Sequence, residues 1–223
     1  MIELKNIQKA YGDKDSAVHA LAGVSLTIKR GDFVTIMGPS GSGKSTLLHI
    51  LGLLDQATGG EYLLENHPVT GLSDRELSRI RNEHYGFVFQ SFNLIPELTA
   101  IENVALPLRY AGETKKAALA RALGLLASVG LDKRAWHYPS QLSGGEQQRV
   151  AVARAIANEP DVIMADEPTG NLPSGTGAEI MRLLTDLNAG GVSLVVVTHD
   201  DHIGAMGHTR VRLCDGLVEA VAS

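Results

Sequence analysis

Lys44, Ser45, Ser143, Asp166, Glu167 and His199 carry the side chains of this sequence that could do chemistry, and their neighbours say which chemistry. Gly38-Pro39-Ser40-Gly41-Ser42-Gly43-Lys44-Ser45-Thr46 fits the pattern G-x-x-x-x-G-K-[ST]. It follows the apolar run Phe33-Val34-Thr35-Ile36-Met37 and precedes Leu47-Leu48-His49-Ile50-Leu51, the order strand, glycine loop, helix. Glycines let successive N–H groups turn inward into an anion nest, and the helix that follows adds the positive end of its dipole. Lys44 then reaches the β and γ phosphates of a nucleotide, and the Ser45 hydroxyl ligates Mg²⁺.

Two acids close another apolar run, Val162-Ile163-Met164-Ala165-Asp166-Glu167. Ligands of open α/β sheets gather at the carboxyl ends of strands, so both acids should face the phosphates. Asp166 is suited to hold Mg²⁺ through water, and Glu167 to orient or deprotonate the attacking water. His199 ends the run Ser193-Leu194-Val195-Val196-Val197-Thr198, which aims it at the γ-phosphate by the same geometry. His199, Asp200, Asp201 and His202 are a weak metal cluster, since no cysteine or third histidine lies near.

Leu142-Ser143-Gly144-Gly145-Glu146-Gln147-Gln148-Arg149 is a second phosphate site in outline. Ser143 and two glycines open a helix through Val150, Val152, Ala153 and Ile156, presenting N–H groups, a hydroxyl and a helix dipole. One chain hardly needs two such sites for one nucleotide. The economical arrangement is a head-to-tail homodimer in which each loop at Lys44 is closed by Ser143, Gly144 and Gly145 of the other chain.

The elements that must position these groups are legible from periodicity. Ile2, Leu4 and Ile7, then Val24, Leu26 and Ile28, alternate as in antiparallel strands, joined by a polar loop at 13–16. Thr58-Gly59-Gly60 turns the chain into a short strand, and Ser73 to Glu76 reads as a helix start. Tyr85-Gly86-Phe87-Val88-Phe89 is an apolar strand ending on Gln90. Residues 91–160 change to helical character, with Leu119, Leu123, Leu126 and Val129 as one core-facing stripe and Pro160 ending a helix. Thr176 and Glu179 have capping-box spacing, with Ser174 an alternative cap. Strands alternating with helices predict an α/β fold with a mostly parallel sheet, residues 1–90 and 161–223 forming the core and 91–160 an α-helical insert.

Composition sets outer bounds. A net charge of −5 over 223 residues argues against a nucleic-acid binder. The single cysteine, Cys214, makes no internal disulfide and suits a reducing compartment. The N-terminus lacks a signal peptide's basic start and apolar core, and no apolar run approaches the ~20 residues of a membrane span. The expectation is a cytoplasmic chain without membrane insertion. Phe92, Leu94, Ile95 and Leu98 nonetheless crowd apolar groups into the loop after Gln90, which fits a docking surface.

The phosphate loop, Gln90, the LSGGE run at Leu142–Glu146, Asp166-Glu167 and His199 stand in an order that resembles the ATP-binding subunits of ABC transporters, from Ile2 to beyond His199. The stretch Phe87 to Pro96, Glu102-Asn103-Val104 and His137-Tyr138-Pro139 are similar to the branch holding lipoprotein-release ATPases, macrolide and peptide exporters and the cell-division ATPase. The resemblance implies a P-loop NTPase core with an N-terminal antiparallel β-subdomain, ATP with Mg²⁺, Tyr11 stacked on adenine, Gln90 touching Mg²⁺ and the transmembrane partner, and Glu167 as catalytic base. It also implies a peripheral place on the inner face of the membrane, on a transporter subunit in trans or on a fused one. A P-loop kinase or GTPase explains Lys44 and Asp166 but leaves Ser143-Gly144-Gly145 idle, and an ATP-gated clamp without transport shares the same residues. One position departs from the family: Pro173 stands where an interface aspartate is usual.

Overall fold

Period-two burial builds the first sheet. The computed structural model describes residues 2–12 and 17–222, so the polar loop at 13–16 lies outside the described residues. Strand β1 (Ile2–Tyr11) turns Ile2, Leu4 and Ile7 inward, and β2 (Val18–Ile28) does so with Leu21, Val24, Leu26 and Ile28. They pair antiparallel, Leu4 opposite Leu26. A register shift between Leu4 and Ile7, where Asn6 takes a left-handed φ of 51°, is why alternation in β1 is imperfect.

The chain continues through β3 (Phe33–Met37), α1 (Lys44–Leu51), β4 (Gly59–Leu64), β5 (His67–Pro68), α2 (Asp74–His84), β6 (Tyr85–Phe89), α3 (Ala100–Tyr110) and α4 (Lys115–Ser128). Then come α5 (Gly144–Ala155), β7 (Val162–Asp166), α6 (Ser174–Ala189), β8 (Ser193–Val197), α7 (Asp201–Gly204), β9 (Thr209–Cys214) and β10 (Leu217–Ala222). Two compact units result, Met1–Ser78 with Ser193–Ser223, and Arg79–Val192.

In the first unit β4 pairs with the other edge of β1 and carries β5. Strand β3 runs parallel between β8 and β9, Val34 aligned with Val195 on one side and Thr209 on the other, and β10 folds back antiparallel on β9. Both β3 and β8 are buried on both faces, which is why they read as unbroken apolar runs. Helix α1 buries Leu47, Leu48, Ile50 and Leu51.

In the second unit β6 and β7 run parallel, Tyr85 beside Val162 and Phe89 beside Asp166. Gly86 lets α5 close on β6, since a Cβ there would lie 2.4 Å from the Ala155 carbonyl. Helices α3, α4 and α5 share a core of Ile101, Val104, Leu108, Ala122, Leu126 and Val150.

Three local expectations are corrected. Leu123 is 42% exposed and Leu119 only packs on the core's edge, because the inward row of α4 is Ala118, Ala122 and Leu126. Small side chains face in where helices approach closely, so the largest residues do not mark the buried face. Helix α5 ends at Ala155, before Pro160, and Glu159 at φ 54° turns the chain out. Helix α6 takes Pro173 as N-cap with no side-chain cap, and Glu179 pairs with Arg149 instead of capping Thr176.

Candidate nucleotide site

The first unit holds the phosphate loop. Gly38 and Gly43 sit at φ 153° and 99°, and each is jammed against backbone. A Cβ would fall 2.0 Å from the Leu213 carbonyl oxygen at Gly38 and 2.3 Å from the Ala20 carbonyl oxygen at Gly43. The loop's path is therefore dictated by β9 and β2. Gly43 caps α1 in left-handed geometry, and the Gly43 carbonyl accepts from Leu47 N–H at 2.8 Å. Lys44 Nζ donates to the carbonyls of Gly38 at 2.9 Å and Pro39 at 2.8 Å, so the ammonium lies across the loop. Pro39, Ser40, Gly41 and Ser45 are exposed, and Lys44 and Thr46 half-buried. The Ser42 hydroxyl is buried without a partner among the described residues, a polar group the loop leaves over for a ligand.

Tyr11, on β1, is 42% exposed and donates to Asp55 Oδ2 at 2.7 Å. His199 is exposed just past β8 and lines, with Met37, Gly38, Pro39 and Arg210, a cavity of about 480 Å³. Asp200 caps α7, its Oδ1 accepting from His202 N–H at 2.7 Å. Among the described residues no group of three His, Cys, Asp or Glu could hold a metal ion, so the run 199–202 forms none.

The second unit holds the acids and the signature run. The register that sets Phe89 beside Asp166 brings Gln90 and Glu167 to the same end of the strand pair. Asp166 and Glu167 are half-buried, and Glu167 takes a left-handed φ of 46°. Gln90 Nε2 donates to Asn171 Oδ1 at 3.2 Å, and Asn171 Nδ2 returns to the Gln90 carbonyl at 3.0 Å. Gly170 makes room for this exchange, since a Cβ would meet Gln90 Nε2 at 2.6 Å.

Ser143 caps α5 by a reciprocal box: its N–H and hydroxyl each donate to Glu146 Oε2 at 2.8 Å, and Glu146 N–H returns to the hydroxyl at 3.3 Å. Those bonds, the Ser143 backbone one first, hold the Glu146 carboxyl below its ordinary pKa. Gly144 and Gly145 are half-buried, and a Cβ on Gly145 would strike Thr176 at 2.4 Å.

Four apolar residues after Gln90 stay partly out: Phe92, Leu94 and Leu98 are half-buried and Ile95 is exposed. The loop is held by Asn103 and Arg154. Asn103, fully buried, accepts from Ile95 N–H at 2.8 Å and donates to the carbonyls of Ile95 and Leu98 at 3.1 and 3.0 Å. Arg154 donates to the carbonyls of Phe92 at 3.0 Å and Asn93 at 2.5 Å. These two residues, with Gln148, Asn171, Lys9 and Asp55, carry site structure the sequence reading did not assign. Asn103 and Gln148 fall within the quoted stretches Glu102-Asn103-Val104 and LSGGEQQR; Asn103 bonds the loop just before its own helix, whereas the partners of Gln148, Phe89 and Pro168, are distant in sequence.

Residues 21–170 match the family model described as ABC transporter. An uncharacterized ABC transporter ATP-binding protein of Thermotoga maritima is 52% identical over 221 residues, covering 99% of this chain and 94% of that protein. The macrolide export ATP-binding/permease protein MacB of Bdellovibrio bacteriovorus is 50% identical over 220 residues, 99% of this chain. The chain spans 34% of that relative's length. The ATP-binding cassette MJ0796 of Methanocaldococcus jannaschii, solved as a dimer in a post-hydrolysis state with ADP and Pi, superimposes with a TM-score of 0.92 at 49% identity over 100% of this chain and 98% of that one. The fold is that of an ABC ATPase cassette, a P-loop α/β fold. The chain belongs to the ABC transporter family, as one of its ATP-binding and ATP-hydrolysing cassettes.

Proposed function

We propose that residues 1–223 act as one nucleotide-binding domain, with 91–160 as its helical insert, that hydrolyses ATP while paired head to tail with a second copy and so drives a membrane partner. The observation that carries this reading is the phosphate loop, with Lys44 stretched across the Gly38 and Pro39 carbonyls and a buried Ser42 hydroxyl left unpaired among the described residues. Lys44 moves from those carbonyls to the β and γ phosphates. Tyr11 takes the adenine face, residues 38–46 the phosphates, and Glu167 the proton of the attacking water. His199 contacts the γ-phosphate, and Ser143, Gly144 and Gly145 of one copy close the site of the other. Solution of MJ0796 as a dimer supports the pairing.

The donor set proposed for Mg²⁺, the Ser45 hydroxyl, the Gln90 amide and the Asp166 carboxylate, is all oxygen, as that ion requires. When bound, the ion neutralises phosphate charge as the bond to the leaving group breaks.

The membrane partner docks on the loop after Gln90. Asn103 and Arg154 hold Phe92, Leu94, Ile95 and Leu98 in a fixed, partly exposed turn, the form a docking surface needs. Among the described residues no helix is long and apolar enough to cross a membrane. A peripheral place on the inner face of the cell membrane is the position from which a cassette would drive a membrane partner. The relatives named MacB favour export as the task.

Nucleotide titration of Lys44→Ala tests the site, with loss of tight ATP binding expected and wild-type affinity removing Lys44 from it. Glu167→Gln should bind ATP, lose about 10²–10⁴ in turnover, and elute as a dimer in ATP and Mg²⁺. A variant that hydrolyses normally contradicts the assignment.

A further inference from the structure

The Tyr11 ring is held from two directions inside one compact unit. Its hydroxyl donates to Asp55 Oδ2 at 2.7 Å. The other carboxylate oxygen, Asp55 Oδ1, accepts from Lys9 Nζ at 2.6 Å. Lys9 is 8% exposed, also donates to the Gln56 carbonyl at 2.8 Å, and places its ammonium 4.7 Å from the Tyr11 ring centroid. Lys9 and Tyr11 lie two apart on β1 with the ammonium over the ring, while Asp55 follows α1.

A lysine so nearly buried is costly unless paired, and Asp55 supplies the pair. Burial would raise the Asp55 carboxyl, but hydrogen bonds from Lys9 and Tyr11 outweigh it and leave the group ionised below its ordinary range. The cation covers one ring face, the carboxylate fixes the ring's edge, and Tyr11 remains 42% exposed for a planar partner.

We infer that Asp55 and Lys9 are positioning residues for the nucleotide base, acting through Tyr11. The inference rests on the reading that Tyr11 stacks on the base of ATP. Asp55 fixes the ring through its hydroxyl, so removing either partner releases the same constraint.

ATP binding by titration and steady-state ATPase are measured for wild type, Asp55→Asn, Tyr11→Phe and the double variant. Losing one such bond corresponds to about three- to tenfold in affinity. Asp55→Asn should raise Kd and KM by that factor while kcat moves by less than about twofold, and Tyr11→Phe should raise Kd similarly. The double variant should bind no worse than the weaker single. Tyr11→Phe keeps the ring and removes only an exposed hydroxyl, so it stays folded even where Asp55→Asn does not. Effects that multiply in the double variant, an unaltered KM in Asp55→Asn, or an unaltered Kd in Tyr11→Phe overturn the inference while leaving ATP hydrolysis by the chain intact. A wild-type chain that fails to bind ATP removes both readings together.

Discussion

Gln148 Nε2 lies 2.5 Å from the carbonyl oxygen of Pro168, the residue that follows Glu167. The same amide nitrogen reaches the Phe89 carbonyl at 3.3 Å, next to Gln90. One fully buried side chain on α5 thus ties the helix capped by Ser143 to the backbone beside both Gln90 and Glu167. Among the described residues its Oε1 has no partner, so the amide acts here through its donor end.

Gln148→Leu removes that donor and leaves the Pro168 carbonyl unsatisfied, a cost of about 1–3 kcal/mol, partly offset by deleting the buried Oε1. Turnover should fall well beyond what the lost stability explains, because the backbone beside Glu167 loses its anchor. Urea denaturation and steady-state ATPase check this. Unchanged values in both would show that the link is idle.

Ser143→Arg places a long cation where the helix cap now faces solvent. The variant should bind ATP normally as a monomer yet fail to hydrolyse it. Mixed with Lys44→Ala, it should regain activity, since one composite site in the heterodimer carries neither lesion. An isolated Ser143→Arg chain with weakened ATP affinity would mean the site is not shared.

Acid should unpick the helix caps. Thr99 holds the Glu102 carboxyl, and Ser143 the Glu146 carboxyl, below the ordinary value of 4.5. A carboxyl depressed in the folded state binds protons more weakly there than in the unfolded chain. The stability it adds is present above pH 4.5 and drains as pH falls through the folded values. Glutamine keeps the cap geometry without the proton linkage. Melting temperature against pH should therefore fall less steeply below pH 4.5 in Glu102→Gln/Glu146→Gln than in wild type, and parallel curves would remove this source of acid sensitivity.

Pro173 is exposed at φ −56°, a value aspartate adopts freely, and it caps α6 without a side-chain hydrogen bond. Pro173→Asp supplies a capping oxygen of about 0.5–2 kcal/mol, which for a chain of this size raises Tm by roughly 2–4 °C per kcal/mol. On the proposed head-to-tail pairing it also restores an acceptor between copies. We expect higher turnover and a steeper dependence on ATP concentration. Superimposable ATPase curves would mean the loop's backbone suffices.

Chemistry confined to contiguous residues was legible in the sequence. The runs at Phe33–Met37, Val162–Asp166 and Ser193–Val197 became strands because burial on both faces leaves an unbroken apolar signature. Residues 38–46 and 142–149 announced themselves because glycines and hydroxyls must be adjacent to make a nest or cap. Networks between distant residues left no such mark: Lys9 with Asp55, and Gln148 with Phe89 and Pro168, are ordinary residue types whose partners only folding selects. The β9–β10 hairpin was missed as well, since Arg210, Arg212 and Glu219 break its hydrophobic run. The buried face of α4 was misread because alanines carry it, and size is a poor guide where helices pack close.

Strand β3 lies between β8 and β9, its partners on both sides arriving from the far end of the chain. On a ribosome adding roughly 5–20 residues per second, it waits on the order of ten seconds with two bare hydrogen-bonding edges. Val34 and Ile36, later fully buried, are exposed through that interval. The strand that feeds the phosphate loop is thus the part of the nascent chain most open to wrong pairing. Slow synthesis before β8 should cost this protein more yield than slow synthesis after β9.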